Sequence, residues 1–108
     1  MPVGENIVEM ILDLVRACRP GDAAPDVVNS SVSWGPGPRA AQALMMTTRA
    51  AALLDGRLAP SAEDVRNMAA PVLKHRMALS FAARARGEDL DQLIDTVAAD
   101  ITKVAKAA

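Results

Sequence analysis

The chain has 108 residues, 51% of them apolar, and a formal net charge of −1. That length supports one domain with one core, and the near-neutral balance provides no field of one sign for nucleic acid or an anionic membrane. Trp34 and Phe81 are the only aromatic residues, so the core must be Ala, Leu, Val, Ile and Met, which favours closely packed helices over a sandwich or barrel.

The start, Met1 to Glu5, lacks a basic segment followed by an apolar stretch, so no secretory signal is expected. A first helix is predicted from Asn6 to Cys18. Ile7, Ile11, Leu14, Val15 and Cys18 follow helical spacing, with Glu9, Asp13 and Arg16 opposite. Asn6 and Glu9 have the spacing of a capping box. Arg16 and Arg19 suit the negative end of the dipole, and Pro20-Gly21 stops the helix. Cys18 is the only cysteine, which excludes an internal disulfide and fits a reducing cytosol. Its place on the apolar stripe predicts a buried structural thiol rather than a nucleophile.

Residues 20–31 read as a loop, disordered or irregular, that is long for a compact domain. Its Pro, Gly and Ser content continues to Arg39 and cannot span a bilayer. Val32-Ser33-Trp34 alternates in polarity and predicts a very short strand. Such a strand needs a partner for its backbone, and the segment from Met77 is the natural one.

The sequence Gly35-Pro36-Gly37-Pro38-Arg39-Ala40 follows. Two glycines and two prolines make a constrained loop, with Pro38 suited to the first helical position. Arg39 then falls in the first turn, where the macrodipole is already positive. Local rules are broken this way at functional sites. An anion brought there would meet backbone N–H groups and a guanidinium together. The six residues leave two readings open: a phosphate sensor, or an arginine pointing into solvent after a turn.

The second helix is predicted from Pro38 to Asp55, with only Arg39, Arg49 and Asp55 charged. A helix apolar all round is expected to be central and buried. Gly56 is placed for a left-handed cap. Ser61-Ala62-Glu63-Asp64 starts another helix as a capping box. Pro71 is expected to kink or end it near Ala69 or Ala70. From Val72 to Phe81 the spacing fits a helix or a strand. Ala82 to Arg86 predicts a helical turn closed by Gly87. The last helix runs from Asp89 to Lys106 on a stripe of Leu90, Leu93, Ile94, Val97, Ile101 and Val104. Acids lie at its start and Lys103 and Lys106 at its end, as the dipole prefers.

Few catalytic arrangements are available. One histidine and one cysteine offer little to a metal. There is no nucleophile elbow and no Gly-x-x-x-x-Gly-Lys-Ser/Thr loop to cradle a nucleotide. His75 reads as a half-buried imidazole bonded to backbone, with Arg76 in an ion pair. The charges from Arg84 to Asp89 read as a solvated surface.

Four segments in order carry a resemblance: Ile11-Leu12-Asp13-Leu14-Val15-Arg16-Ala17-Cys18-Arg19, Gly35-Pro36-Gly37-Pro38-Arg39-Ala40, Ser61-Ala62-Glu63-Asp64-Val65 and Pro71-Val72-Leu73-Lys74-His75-Arg76. Together they resemble the C-terminal part of MoxR-type AAA+ ATPases. The resemblance implies an all-α lid of four or five helices, with room for one very short two-stranded ribbon. It implies that residues 1–108 form one lid domain, and that the P-loop core lies outside this chain, which would then be an excised or truncated piece. The glycine–proline loop is similar to the family's sensor 2 motif, where a small residue and a serine commonly precede Pro-Arg. Here Pro36 and Gly37 stand in their place, which removes a hydroxyl and keeps the arginine.

By that resemblance Arg39 would touch the γ-phosphate of ATP, with Gly35, Gly37 and Pro38 shaping the site. Mg2+ would be bound by the core domain, and the chain alone would be inactive. The implied partners are that core domain, neighbouring subunits of a hexamer and a client protein complex, in the cytoplasm, with no nucleic acid and no membrane insertion. A free-standing helical interaction module is the rival reading, suggested by the apolar fraction and six methionines. A helix-turn-helix DNA binder conflicts with the low charge and the nearly uncharged second helix.

Overall fold

The computed structural model describes residues 5–22 and 24–107, with side chains for 6–22 and 24–102. The readings of Met1 to Gly4, Val104, Lys103 and Lys106 lie outside those limits. The elements are α1 (Glu5–Ala17), α2 (Asp26–Ser31), β1 (Val32–Trp34), α3 (Pro38–Leu54), α4 (Ala62–Leu73), β2 (Ala78–Leu79), α5 (Phe81–Ala85) and α6 (Leu90–Ala107). The fold is thus all-α with one tiny ribbon, as expected.

The centre is aliphatic. Ile7, Ile11, Leu14 and Cys18 of the α1 region pack with Leu44, Val65, Leu73, Leu93 and Ile94 in one buried cluster. α4 lies chiefly against α6 and α3, and α1 spans α6 and α3. The alternating apolar stripe of each helix therefore faces a neighbour, which removes apolar area from water. α1 begins by Glu5, so Asn6 is inside the helix and makes no capping box.

Half of the predicted loop 20–31 is helix. α2 follows Pro25 and buries Val28 and Ser31. Six residues are too few for a helical period to show in sequence. The rest is clipped: the Gly21 N–H donates to Asn29 Oδ1 at 2.8 Å, and Asn29 Nδ2 donates to the Gly21 carbonyl at 3.0 Å. β1 pairs antiparallel with β2, Val32 opposite Leu79 and Trp34 opposite Ala78. That is the partner its open backbone required. Phe81 does not extend the strand; it opens α5 and is 88% exposed.

α3 departs from expectation. Only Ala40, Leu44, Thr48 and Ala52 are fully buried, while Met46, Leu53 and Leu54 are exposed. α1 and α4 cover one side, and no described element covers the other. Composition made the whole helix capable of burial; packing used one stripe. α4 does not end at Ala69 or Ala70, because it runs through Pro71 to Leu73. Pro71 faces outward, and burial of Val72 and Leu73 holds the turn beyond it. The Lys74 N–H still reaches the Ala70 carbonyl at 3.0 Å.

His75 is exposed rather than half-buried, and Arg76 donates to the Val72 carbonyl at 3.1 Å instead of forming an ion pair. The 84–89 segment is more than a solvated surface. Glu88 pairs with Arg86 at 2.6 Å and accepts from the buried Ser31 hydroxyl at 2.6 Å, which ties α2 to the α5–α6 turn. Both donors hold the Glu88 carboxyl below its ordinary value.

The α3–α4 connection is held by its own polar groups. Gly56 adopts φ +75°, so the Arg57 N–H reaches the Ala52 carbonyl at 2.8 Å and the Gly56 N–H the Leu53 carbonyl at 3.0 Å. This is a Schellman ending. Arg57 then grips Asp64 with Nη1 and Nη2, each at 2.7 Å, and Asp55 with Nε at 2.9 Å. The Ser61 N–H also donates to Asp64 Oδ2 at 2.7 Å.

The Arg57 guanidinium, helped by the Ser61 donors, holds the buried Asp64 carboxyl below its ordinary 3.8. Below pH 3.8 the unfolded chain therefore binds more protons than the folded one. The stability from this carboxylate is complete above that value and is lost as pH falls through the lower folded value. Asp64→Asn should lose about 1 kcal/mol at neutral pH. It should also flatten the acid dependence of the urea midpoint, measured from pH 7 downward.

Candidate functional site

The site begins where α1 ends. Cys18 and Arg19 leave the helix, and the 35–37 loop crosses directly over them. A Cβ at Gly35 would lie 2.7 Å from the Cys18 carbonyl oxygen, 2.8 Å from Arg19 Cα and 3.2 Å from Arg19 Cγ. No side chain fits such an approach, so Gly35 is required by packing rather than by turn geometry. Pro36 is fully buried and anchors the loop.

Gly37 is the N-cap of α3 in extended backbone, φ −92°, and makes no side-chain bond to the helix. Nothing lies within 4 Å of a Cβ placed there, so a serine would fit. Pro38 stands at N1 and has no N–H to offer. The Ala40 N–H turns back to the Gly37 carbonyl at 3.0 Å. Arg39 is exposed. Among the described residues neither its guanidinium nor its backbone N–H has a partner. The four sequence-predicted residues are thus together at one helix tip, with different tasks: Gly35 permits the approach, Gly37 leaves the cap bare, Pro38 starts the helix and Arg39 is presented.

The open face of α3 continues from that tip. Met46 and Leu53 follow Arg39 at seven-residue intervals and so share its side of the helix. Both are exposed, and Leu54 and Leu58 are exposed at the far end. Trp34, directly before Gly35, is 55% exposed. The face therefore combines a cation at one end with apolar surface along its length. A lone exposed leucine needs no account, but several together mark a contact surface.

The arrangement is chemically simple. A guanidinium offers a planar fork of donors suited to phosphate oxygens, and the helix tip adds a positive partial charge. Cys18 contributes no nucleophile: burial pushes its thiol up to about 12, so it stays protonated near neutral pH.

The family model for the AAA lid domain matches residues 25–97. The chain belongs to the AAA lid family. The MoxR protein of Paracoccus denitrificans is 46% identical over 71 residues, a match spanning 65% of this chain and 21% of MoxR. A solved structure of a candidate ATPase from Cytophaga hutchinsonii superposes with a TM-score of 0.81 at 30% identity, over 88% of this chain and 29% of that one. This is a MoxR-type AAA+ lid, as the resemblance implied. It spans less than a third of the length of either relative. No helix of the described residues is long and apolar enough to cross a membrane.

The Gly35 contacts could not be read from sequence, because they join backbone positions far apart in the chain. Two outcomes test this part of the lid. Gly35→Ala should destabilise the fold by about 1–3 kcal/mol, seen as a lower urea midpoint with an unchanged slope, because the opposing atoms are backbone. Cys18 should resist maleimide at pH 7.5 in the folded chain and react at once when unfolded in urea; rapid labelling of the native chain would contradict its burial.

Proposed function

We propose that this lid senses the nucleotide state of a MoxR-type AAA+ ATPase and couples it to domain and subunit position. The observation that carries the reading is Arg39, exposed at the tip of α3 and without a described protein partner. Gly35 and Pro36 fix the loop that presents it. ATP held by a P-loop domain would bring its γ-phosphate to this guanidinium. The lid would close as the contact forms. Hydrolysis and loss of phosphate would remove the anion and release the lid.

Mg2+ and the attacking water belong to the P-loop domain, where the Walker residues would lie. Arg39 supplies charge stabilisation, from its own subunit or to a neighbour across a hexameric ring. The output would be chaperone-like maturation of a client protein complex in the cytoplasm. Alone the lid would hydrolyse no ATP and bind it feebly. Arg39-dependent turnover by the isolated chain would contradict that.

The exposed Met46, Leu53, Leu54 and Leu58 support a second use of the same helix. This face suits a protein surface, which the core domain or an adjacent subunit would provide. The same residues are what a free-standing interaction module would use, so the two readings divide on Arg39. In an ATPase that carries this lid with its P-loop domain, Arg39→Ala should lower kcat at least tenfold, on the order of one lost transition-state donor. Unchanged hydrolysis and ring assembly in that variant would remove the sensor role and leave the interaction reading.

A further inference from the structure

We infer that Arg19 is a second phosphate-facing cation of the same site, acting with Arg39 on the polyphosphate of the bound nucleotide; this rests on the sensor reading of Arg39. Arg19 lies outside the stretch matched by the lid family model, which begins at residue 25. Its position comes from the packing of α1. The Arg19 Cα and Cγ lie 2.8 and 3.2 Å from the point where Gly35 would carry a Cβ. The stem of the arginine therefore runs beside the loop that presents Arg39.

Gly35 and Arg39 are four residues apart, which limits their Cα separation to about 14 Å even for a fully extended chain. Two long guanidinium side chains thus start on either side of one short, anchored loop. Arg19 is exposed, and among the described residues its side chain has no ion pair or hydrogen bond.

Three of the nine arginines are committed to partners within the fold. Arg57 grips Asp64 and Asp55, Arg86 pairs with Glu88, and Arg76 bonds to the Val72 carbonyl. Arg16, Arg49, Arg66 and Arg84 share with Arg19 and Arg39 the lack of such a partner among the described residues; what sets Arg19 and Arg39 apart is their place beside the 35–37 loop. Two like charges beside a positive helix tip repel one another. A multiply charged anion resolves the repulsion and bonds to both forks. A nucleoside triphosphate has the charge and length for two arginines; a single carboxylate does not. Arg39 would take the terminal phosphate and Arg19 another along the chain. Arg19 is therefore a positioning residue for the nucleotide.

The test uses the ATPase that carries this lid with its P-loop domain, and a non-hydrolysable ATP analogue as probe. Arg19→Ala, Arg19→Lys and Arg39→Ala are compared by equilibrium binding, with thermal melting as the control on folding. Arg19→Ala should weaken binding about five- to tenfold with an unchanged melt, and Arg19→Lys should recover most of the loss. In turnover, Arg19→Ala should raise KM for ATP more than it lowers kcat, the reverse of Arg39→Ala. Wild-type binding by Arg19→Ala alongside a weakened Arg39→Ala would overturn the role of Arg19 and leave the sensor standing. Wild-type binding and turnover by Arg39→Ala would remove both. Failure of the lysine variant to recover binding would show that the charge is not the agent, and would also overturn the proposal.

Discussion

The contact between Gly35 and the end of α1 is the constraint on which the site depends. The loop backbone passes so close to the Cys18 carbonyl and Arg19 that even a methyl group is excluded. Cys18 itself is buried in the core, and so is Pro36 on the other side of the contact. The entry point of α3 is thus fixed by close contact to the buried core. A side chain at the first turn of α3 starts from that anchored backbone. An arginine on a mobile loop would lose conformational freedom on meeting a phosphate. On this loop, most of the backbone share of that loss is already met by folding. On the proposed reading, pre-organisation of this kind would make a single charged contact useful as a signal.

The far end of α3 is fixed differently. The Schellman turn at Gly56 and the grip of Arg57 on Asp64 lock α3 to α4 through polar groups. The near end is held by close backbone packing. Held at both ends, α3 is tied to the end of α1 and to α4, and α4 packs in turn on α6. A force applied at Arg39 would be carried to the whole bundle rather than absorbed by bending of one helix. The apolar face of α3 would then be displaced together with its tip.

Much of this is legible in the sequence, for reasons that can be named. α1 and α6 show their stripes because each buries one face over several turns. The capping box at Ser61 and the glycines at 56 and 87 are local signals, and local signals survive folding. The ribbon was expected from the alternation at Val32-Ser33-Trp34 and from the partner that its open backbone required. What is not legible is relational. Val28 is the one buried apolar residue of α2, so no period exists to be read. Pro71 carries a strong local preference that burial of the following turn overrides. The alanines and leucines of α3 say what could be buried, not which side a neighbour covers. Glu88 looks like one charge among several until Ser31 is brought beside it. The arginine at 39 stands out in sequence because it opposes the helix dipole; Arg19 does not, because its significance arises only when the loop lies over it.

The departure at position 37 bears on how the tip would meet a ligand. A serine N-cap accepts from an early N–H of its own helix. Gly37 has no side-chain oxygen to do so, although the space would admit one. The first turn of α3 is therefore less satisfied internally than a serine would make it. Pro38 contributes no donor, so the Arg39 N–H is the first that the helix presents. An incoming phosphate could accept from that N–H and from the same residue's guanidinium. The substitution thus exchanges internal capping for donors directed outward. Isolated, such a helix is slightly less stable by the missing cap. With an anion in place the missing cap is supplied by the ligand, and the difference between the two conditions grows. A bare cap therefore makes the tip more responsive to occupancy than a serine cap would.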